Sequence, residues 1–302
     1  MSFRHVAILG LGLLGGSIGL AVKKYLPATK TTGYDSDPAV RARAAERGLA
    51  ETVCDSAEET VAGADLVVLC VPVGAMEQAA RAIAGSLAPD AVVSDVGSSK
   101  QSVGLALAQA LPGQCVIPAH PVAGTEESGP DAGFATLFHQ RWCIVTPPGG
   151  SDPAKVAALV EFWQALGAMV DTMDAGHHDL VLAVTSHIPH LIAYTIVGTA
   201  SDLEEVARGE VIKYSAGGFR DFTRIAASDP TMWRDVFLHN REAVLEMLDR
   251  FRTDLAMMRE AIRTSDGEAM FDAFSRTRSI RRSIVAIGQD DARPDFGRED
   301  HG

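Results

Sequence analysis

Short apolar runs of strand length, each followed by a stretch with helical period, recur through the first half of the chain. Residues 6–9 form such a run, which passes through glycines into a helical stretch over 16–23. Residues 31–34 form a second, and Asp37-Pro38 then supplies an N-cap and a first-turn proline for a helix to about Arg47, closed by Gly48. A short strand is expected at 51–53, and Ser56-x-x-Glu59 has capping-box spacing for a short helix. Asp65 to Val71 is a run of strand length, continuously apolar after its first residue, as a parallel strand buried on both faces requires. Further strands are expected at 91–95, 115–118, 142–146 and 168–173, with helices over 100–111 and 153–166, the latter ended by Gly167. This alternation predicts an α/β domain over residues 1–174, built on a doubly wound parallel sheet covered by helices.

Beyond about Asp174 the β-like runs stop, and the pattern predicts an all-α C-terminal domain over 175–288. An apolar helix over 180–200 is interrupted by Pro189, and Asp229-Pro230 opens a helix expected to continue to about Thr264. Val244, Leu248, Phe251, Leu255, Met258 and Ile262 step along that helix by 4, 3, 4, 3 and 4 residues, a coiled-coil-like seam that packs within the chain or against a second copy. A last helix is expected over 266–287, and the polar tail 289–302 reads as disordered.

The glycines give the first domain its chemistry. Gly10-x-Gly12-x-x-Gly15 follows the first strand and opens the first helix, the order of a Rossmann-type dinucleotide turn. Gly10 permits the tight turn, Gly12 lets backbone approach a pyrophosphate, and Gly15 lets the helix lie close to the strand; Leu13 and Leu14 complete the same cofactor-binding turn. Asp35 ends the second strand 20 residues after Gly15, where an acid holds a ribose 2′-hydroxyl, so NAD is the expected cofactor. Arg4 and the apolar residues after it superficially resemble a signal peptide. The glycines speak against that, since each weakens a helix by about 1 kcal/mol relative to alanine, and Lys23-Lys24-Tyr25 stands where a cleavage site would need small residues.

With 302 residues the chain is long enough for about two domains. Its 27 basic and 39 acidic residues give a net charge of −12, which argues against a nucleic-acid partner. Cys54, Cys70, Cys115 and Cys143 form no CxxC pair and read as buried reduced thiols. A cytoplasmic protein with no membrane partner is expected.

Substrate chemistry in such folds lies beyond the carboxyl ends of the strands, which selects two loops, 95–100 and 119–129. His120 in the second is the candidate acid or base, because an imidazole exchanges protons near neutral pH. Ser98 in the first would bond a substrate hydroxyl or the histidine, or else cap the helix that follows. His187 and His190 lie three residues apart on one helical face, open to a metal pair, a substrate contact or buried packing; no third ligand is spaced for a metal, and none is assigned. His177-His178 earns no role at the expected interdomain turn. Gly217-Gly-Phe-Arg220-Asp-Phe-Thr-Arg224 is a glycine-hinged segment carrying two cations, and a cation there suits a carboxylate substrate, with surface salt bridging as the plainer role.

Together these residues resemble the prephenate and arogenate dehydrogenases, the cyclohexadienyl dehydrogenases of tyrosine biosynthesis. The likeness rests on five stretches in the family's order, covering about residues 4–280: the glycine turn at 10–17, Asp95-Val-Gly-Ser-Ser-Lys100, the loop from His120 to Gly129, Ser186-His-Ile-Pro-His190, and the segment from Gly217 to Trp233. The resemblance implies oxidative decarboxylation of a cyclohexadienyl acid with NAD(P)+, with His120 deprotonating the ring C4 hydroxyl as hydride leaves C4. It further implies that Ser98 orients that hydroxyl and His120, that Arg224 holds the side-chain carboxylate, and that His190 and Trp233 line the pocket. It implies a homodimer built through the helical domains. The family commonly has lysine where this chain has Arg220. Preference between prephenate and arogenate stays open, with Glu126 and Glu127 in a loop where they could pair with an ammonium. The rival enzyme reading is another NAD-dependent 3-hydroxyacid or imine-type dehydrogenase, which would not need His120 and Arg224 together. A cofactor sensor without chemistry would not need His120, Ser98 and Arg224, and a hydride-transfer assay separates it.

Overall fold

The computed structural model describes residues 3–125, 127–202 and 217–286. The chain forms two compact units, residues 1–247 and 248–302. The tail expected to be disordered, 289–302, lies outside the described residues.

In the first unit six parallel strands form one sheet in the order β3-β2-β1-β4-β5-β6. These are β1 (His5–Leu9), β2 (Lys30–Tyr34), β3 (Thr52–Val53), β4 (Leu66–Leu69), β5 (Val92–Asp95) and β6 (Cys115–Val116). Alternate residues of the central strands serve opposite faces: Val6, Ile8, Leu66 and Val68 enter one apolar core, Ala7, Leu9, Val67 and Leu69 the other. Helices α1 (Leu13–Tyr25), α2 (Pro38–Arg47), α3 (Ala57–Val61), α4 (Met76–Ile83), α5 (Gln101–Ala110) and α6 (Pro153–Ala165) connect the strands. Local signals set several starts: Asp37, Ser56 and Asp152 each accept a first-turn backbone N–H. Helix α4 lies where the sequence suggested no element.

The later strands depart from the expected single sheet. β7 (Ala119–Pro121), β8 (Trp142–Val145) and β9 (Met169–Thr172) form a separate three-stranded sheet, with β7 antiparallel to β8 and β8 parallel to β9. The cause is at Pro118. Ile117 still donates to Val93 of β5, but Pro118 has no N–H to continue the ladder, and its carbonyl accepts from Thr146 instead. The expected strand over 115–118 is thereby cut to two residues, and His120 sits in β7 rather than in a free loop.

Residues 175–201 are helical throughout, as α7 (Ala175–Leu182), one π-helical turn (Ala183–His187) and α8 (Ile188–Ser201). The interruption expected from Pro189 is absorbed by that wider turn, because proline lacks an N–H and crowds the carbonyl four residues back. This run is long and apolar enough to cross a membrane by length and composition alone. Its polar residues His178, Asp179 and His187 are nevertheless buried and hydrogen-bonded to other elements. After α9 (Gly217–Thr223), Asp229 caps α10 (Pro230–His239). The single helix expected from 230 to 264 is broken at Asn240, whose buried amide donates to the Asp179 carbonyl, and restarts as α11 (Arg241–Arg263). Along the seam Val244 is buried, whereas Leu255 and Ile262 are 56% and 66% exposed, as are Phe271 and Phe274 of α12 (Gly267–Ala286) at 70% and 60%.

Candidate active site

The turn between β1 and α1 is shaped by its glycines. Gly10 has φ +97°, and a Cβ there would lie 2.4 Å from the Cys70 carbonyl oxygen. A Cβ on Gly15 would stand 1.8 Å from the Gly10 oxygen, whereas at Gly12 it would meet nothing within 4 Å. Gly12 thus fronts open space at the start of α1, whose first turn carries no acidic residue and no side-chain cap, with half-buried Leu13 and Leu14 beside it. That is a cradle suited to a pyrophosphate. Asp35, at the end of β2, accepts from Leu11 N (2.9 Å) and Asp37 N (3.0 Å), tying the turn to the acid. Arg41 stands nearby and donates to the Asp35 carbonyl (2.8 Å), with its guanidinium 5.4 Å from the Tyr34 ring centre. These residues fit a dinucleotide.

His120 is buried in β7, and its Nδ1 lies 2.9 Å from His178 Nε2. His178 Nδ1 in turn lies 2.8 Å from Asp179 Oδ1. Asp179 also accepts from the first backbone N–H groups of α5, Lys100 N at 2.7 Å and Gln101 N at 2.9 Å, so it caps that helix from across the fold. Neither alternative for Ser98 is seen directly: no side chain of its own loop caps α5, and among the described residues no hydrogen bond joins its half-buried hydroxyl to His120. Lys100 is fully buried, and its ammonium donates to Asp95 and to the Ala119 carbonyl (2.9 Å) beside His120. Gly97 N also donates to the Asp95 carboxylate (2.8 Å). Burial opposes both charges, raising Asp95 and lowering Lys100, and their contact works against that. Burial, then the neighbouring His178, Lys100 and His187, hold His120 well below the ordinary imidazole range. At neutral pH it is a free base.

A second cluster stands on the helices. His190 Nδ1 donates to the Ser186 carbonyl (2.8 Å), and its ring stacks on buried Trp233 at 3.6 Å between centres. Burial lowers the His190 pKa, and the charge of Arg224 lowers it further, so Arg224, His190 and Trp233 form one neighbourhood. Arg224 is exposed at the turn after α9, and Arg220 pairs at the surface with Asp221 (3.7 Å). His187 Nδ1 accepts from the Asn240 amide (3.1 Å), which leaves its buried Nε2–H, like Trp233 Nε1–H, without a partner among the described residues. No group of three His, Cys, Asp or Glu among the described residues is arranged to hold a metal. Glu127 is exposed, and Glu126 lies outside the described residues.

Sequence reasoning missed His178, Asp179, Lys100 and Asn240. The one available signal was a His-Asp pair inside an otherwise apolar helical run.

Comparison with known proteins adds the following. Residues 18–172 match the family description "Prephenate dehydrogenase, nucleotide-binding domain", and residues 174–276 match "Prephenate dehydrogenase, dimerization domain". The chain is 43% identical to a cyclohexadienyl dehydrogenase of Zymomonas mobilis, over 93% of this chain and 96% of that one. It is 33% identical to a prephenate dehydrogenase of Bacillus subtilis, over 92% of this chain and 76% of that one. The crystal structure of prephenate dehydrogenase from A. aeolicus, in complex with hydroxyphenyl propionate and NAD+, superposes with a TM-score of 0.88 at 32% identity, covering 94% of this chain and 99% of that one.

Proposed function

Since the chain belongs to the prephenate dehydrogenase family, we propose how its own residues divide the family's work. The protein is an NAD-dependent prephenate/arogenate (cyclohexadienyl) dehydrogenase of tyrosine biosynthesis. It oxidatively decarboxylates prephenate and/or arogenate, giving 4-hydroxyphenylpyruvate and/or tyrosine, CO2 and NADH. One observation carries the assignment of roles: a neutral, buried His120, wired to His178 and Asp179, next to Ala119, whose N–H reaches Asp95 at the carboxyl end of β5 in the sheet that bears the glycine cradle.

In this reading Gly10, Gly12, Leu13, Leu14 and Gly15 hold the pyrophosphate, and Asp35 holds a ribose hydroxyl. When bound, NAD+ supplies the acceptor for the hydride from ring C4. His120 takes the C4 hydroxyl proton at Nε2, and Ser98 orients that hydroxyl. Arg224 clamps the substrate's side-chain carboxylate, while His190 and Trp233 wall the pocket. Residues 1–174 form the nucleotide-binding division and 175–288 the substrate and dimerisation division. A homodimer is supported by the dimerization-domain match and by the exposed apolar residues Leu255, Ile262, Phe271 and Phe274. The same proposal takes the enzyme to be cytoplasmic, with a small-molecule substrate and no nucleic-acid or membrane partner, in keeping with a net charge of −12.

Steady-state rates with prephenate and arogenate, each with NAD+ and NADP+, test this. NADH and CO2 should form in equal amounts with at least one substrate. Turnover of 3-hydroxy acids or cyclic imines with neither cyclohexadienyl acid would transfer the function to the rival dehydrogenase class.

A further inference from the structure

With His178 neutral, the form its burial favours, the hydrogen-bond chain behind His120 has one consistent proton arrangement. Asp179 accepts two backbone N–H groups, Lys100 N and Gln101 N, whose direction is unambiguous, so its carboxylate acts as an acceptor at both oxygens. The same Oδ1 faces His178 Nδ1 at 2.8 Å, which makes that nitrogen a donor. In a neutral ring His178 Nε2 must then be the acceptor, and the group 2.9 Å away, His120 Nδ1, must carry a hydrogen. His120 is left with its lone pair on Nε2. The rings are held edge to face, 72° apart with centres at 5.1 Å, so the bond lies in a set orientation.

We propose that His178, held by Asp179, is the positioning residue that selects the Nδ1–H tautomer of His120 and so presents a bare Nε2 to the substrate hydroxyl. This rests on the assignment of His120 as general base above, and it extends it to two residues that do not touch substrate. The proton balance is simple. The C4 hydroxyl proton moves to His120 Nε2 and the oxygen keeps the bonding pair. The imidazolium's Nδ1–H then donates to His178, whose opposite edge is bound to the Asp179 carboxylate, so the new charge faces an anion through one ring. The alternative tautomer places a hydrogen on Nε2 and cannot accept the proton at all. Asp179 also caps α5, and its carbonyl accepts from Asn240, so the backbone of α7 is fixed from two sides. Among the described residues, the other ionisable groups around the pair, Lys100 with Asp95 on the strand side and His187 on the helical side, carry no competing hydrogen bond to either ring.

Two measurements test this. Nitrogen-15 spectra of histidine-labelled enzyme without substrate, with His120 assigned by its loss in His120→Asn, should show His120 as the Nδ1–H form in wild type. In His178→Phe the two tautomers should mix. A wild-type His120 protonated at Nε2 overturns the proposal and leaves the dehydrogenase assignment standing. In steady state, His178→Phe should lower kcat by about 10²–10³-fold, in the range of losing general-base function, with KM for substrate and Kd for NAD+ changed less than about threefold. His178→Gln, whose amide oxygen can accept from His120 Nδ1–H, should recover at least about tenfold of that loss. A folded His178→Phe with wild-type kcat, or a His178→Gln no better than it, assigns His178 a packing role and refutes the proposal. If no variant and no wild type turns over either cyclohexadienyl acid, it is the functional reading that fails, and the spectra still decide the tautomer.

Discussion

Lowering the pH from 7 to 5 should weaken the fold, and the share due to His187 can be worked out. His187 is fully buried, and burial, with His178 and His190 adding to it and Asp179 opposing, brings its pKa down to about 4. In the unfolded chain the same imidazole titrates near about 6.5. Between these values the unfolded state binds the proton and the folded state does not, so stability falls as pH falls through that window. It is fully present above about 6.5 and its loss is complete below about 4. At pH 5 the difference is about 0.9 proton, a slope of about 1.2 kcal/mol per pH unit, and the loss from pH 7 to 5 comes to about 1.8 kcal/mol. His120, His178 and His190 are also shifted down by burial and add in the same direction. Urea unfolding at pH 7, 6 and 5, for wild type and for His187→Gln, isolates the one residue. The wild type should lose about 1.8 kcal/mol more than the variant over that range, whatever the variant's stability at pH 7. Equal pH dependence in the two proteins would show that His187 is charged in the folded state or open to water, and the argument from burial would fail.

Three further outcomes are expected. His120→Asn should lower kcat by about 10²–10⁴-fold with NAD+ affinity intact, and retained turnover would remove His120 from the chemistry. Arg224→Ala should raise KM by about 10- to 150-fold with kcat nearly unchanged, since a charge-assisted bond to a carboxylate is worth about 1.5–3 kcal/mol and does not change during hydride transfer; Arg224→Lys should recover part, and an unchanged KM in Arg224→Ala would sink the clamp. NAD+ should be preferred over NADP+, because a 2′-phosphate would meet the Asp35 carboxylate, and Arg41 is already committed to the carbonyls of Asp35 and Ser36; comparable kcat/KM for the two cofactors would contradict that.

The alternation of strand and helix, the glycine turn, Asp35 and the caps at Asp37, Ser56 and Asp229 were legible in the sequence, though α4 was not. Each cap is a local device, in which the residue and the backbone group it serves lie within a few positions, so spacing alone identifies it. Position in the fold singled out His120, Ser98, His190 and Arg224, the resemblance of five stretches to one family gave them roles and added Trp233, and in the structure the His190 ring stacks on Trp233. What the tertiary structure decided is everything that depends on a distant partner. Pro118 ends one sheet and begins another only because Thr146 reaches its carbonyl. Asn240 breaks a helix because the Asp179 carbonyl, 61 residues away, accepts its amide. His178-Asp179 is a polar pair in an apolar helical run, and nothing local to it names the groups that it meets. It joins His120 because that residue, 58 positions earlier in the chain, lies within hydrogen-bond reach. Desolvation is a property of what packs around a group, so the same imidazole that titrates near neutrality in an extended chain is a neutral acceptor here, and no local pattern encodes that difference.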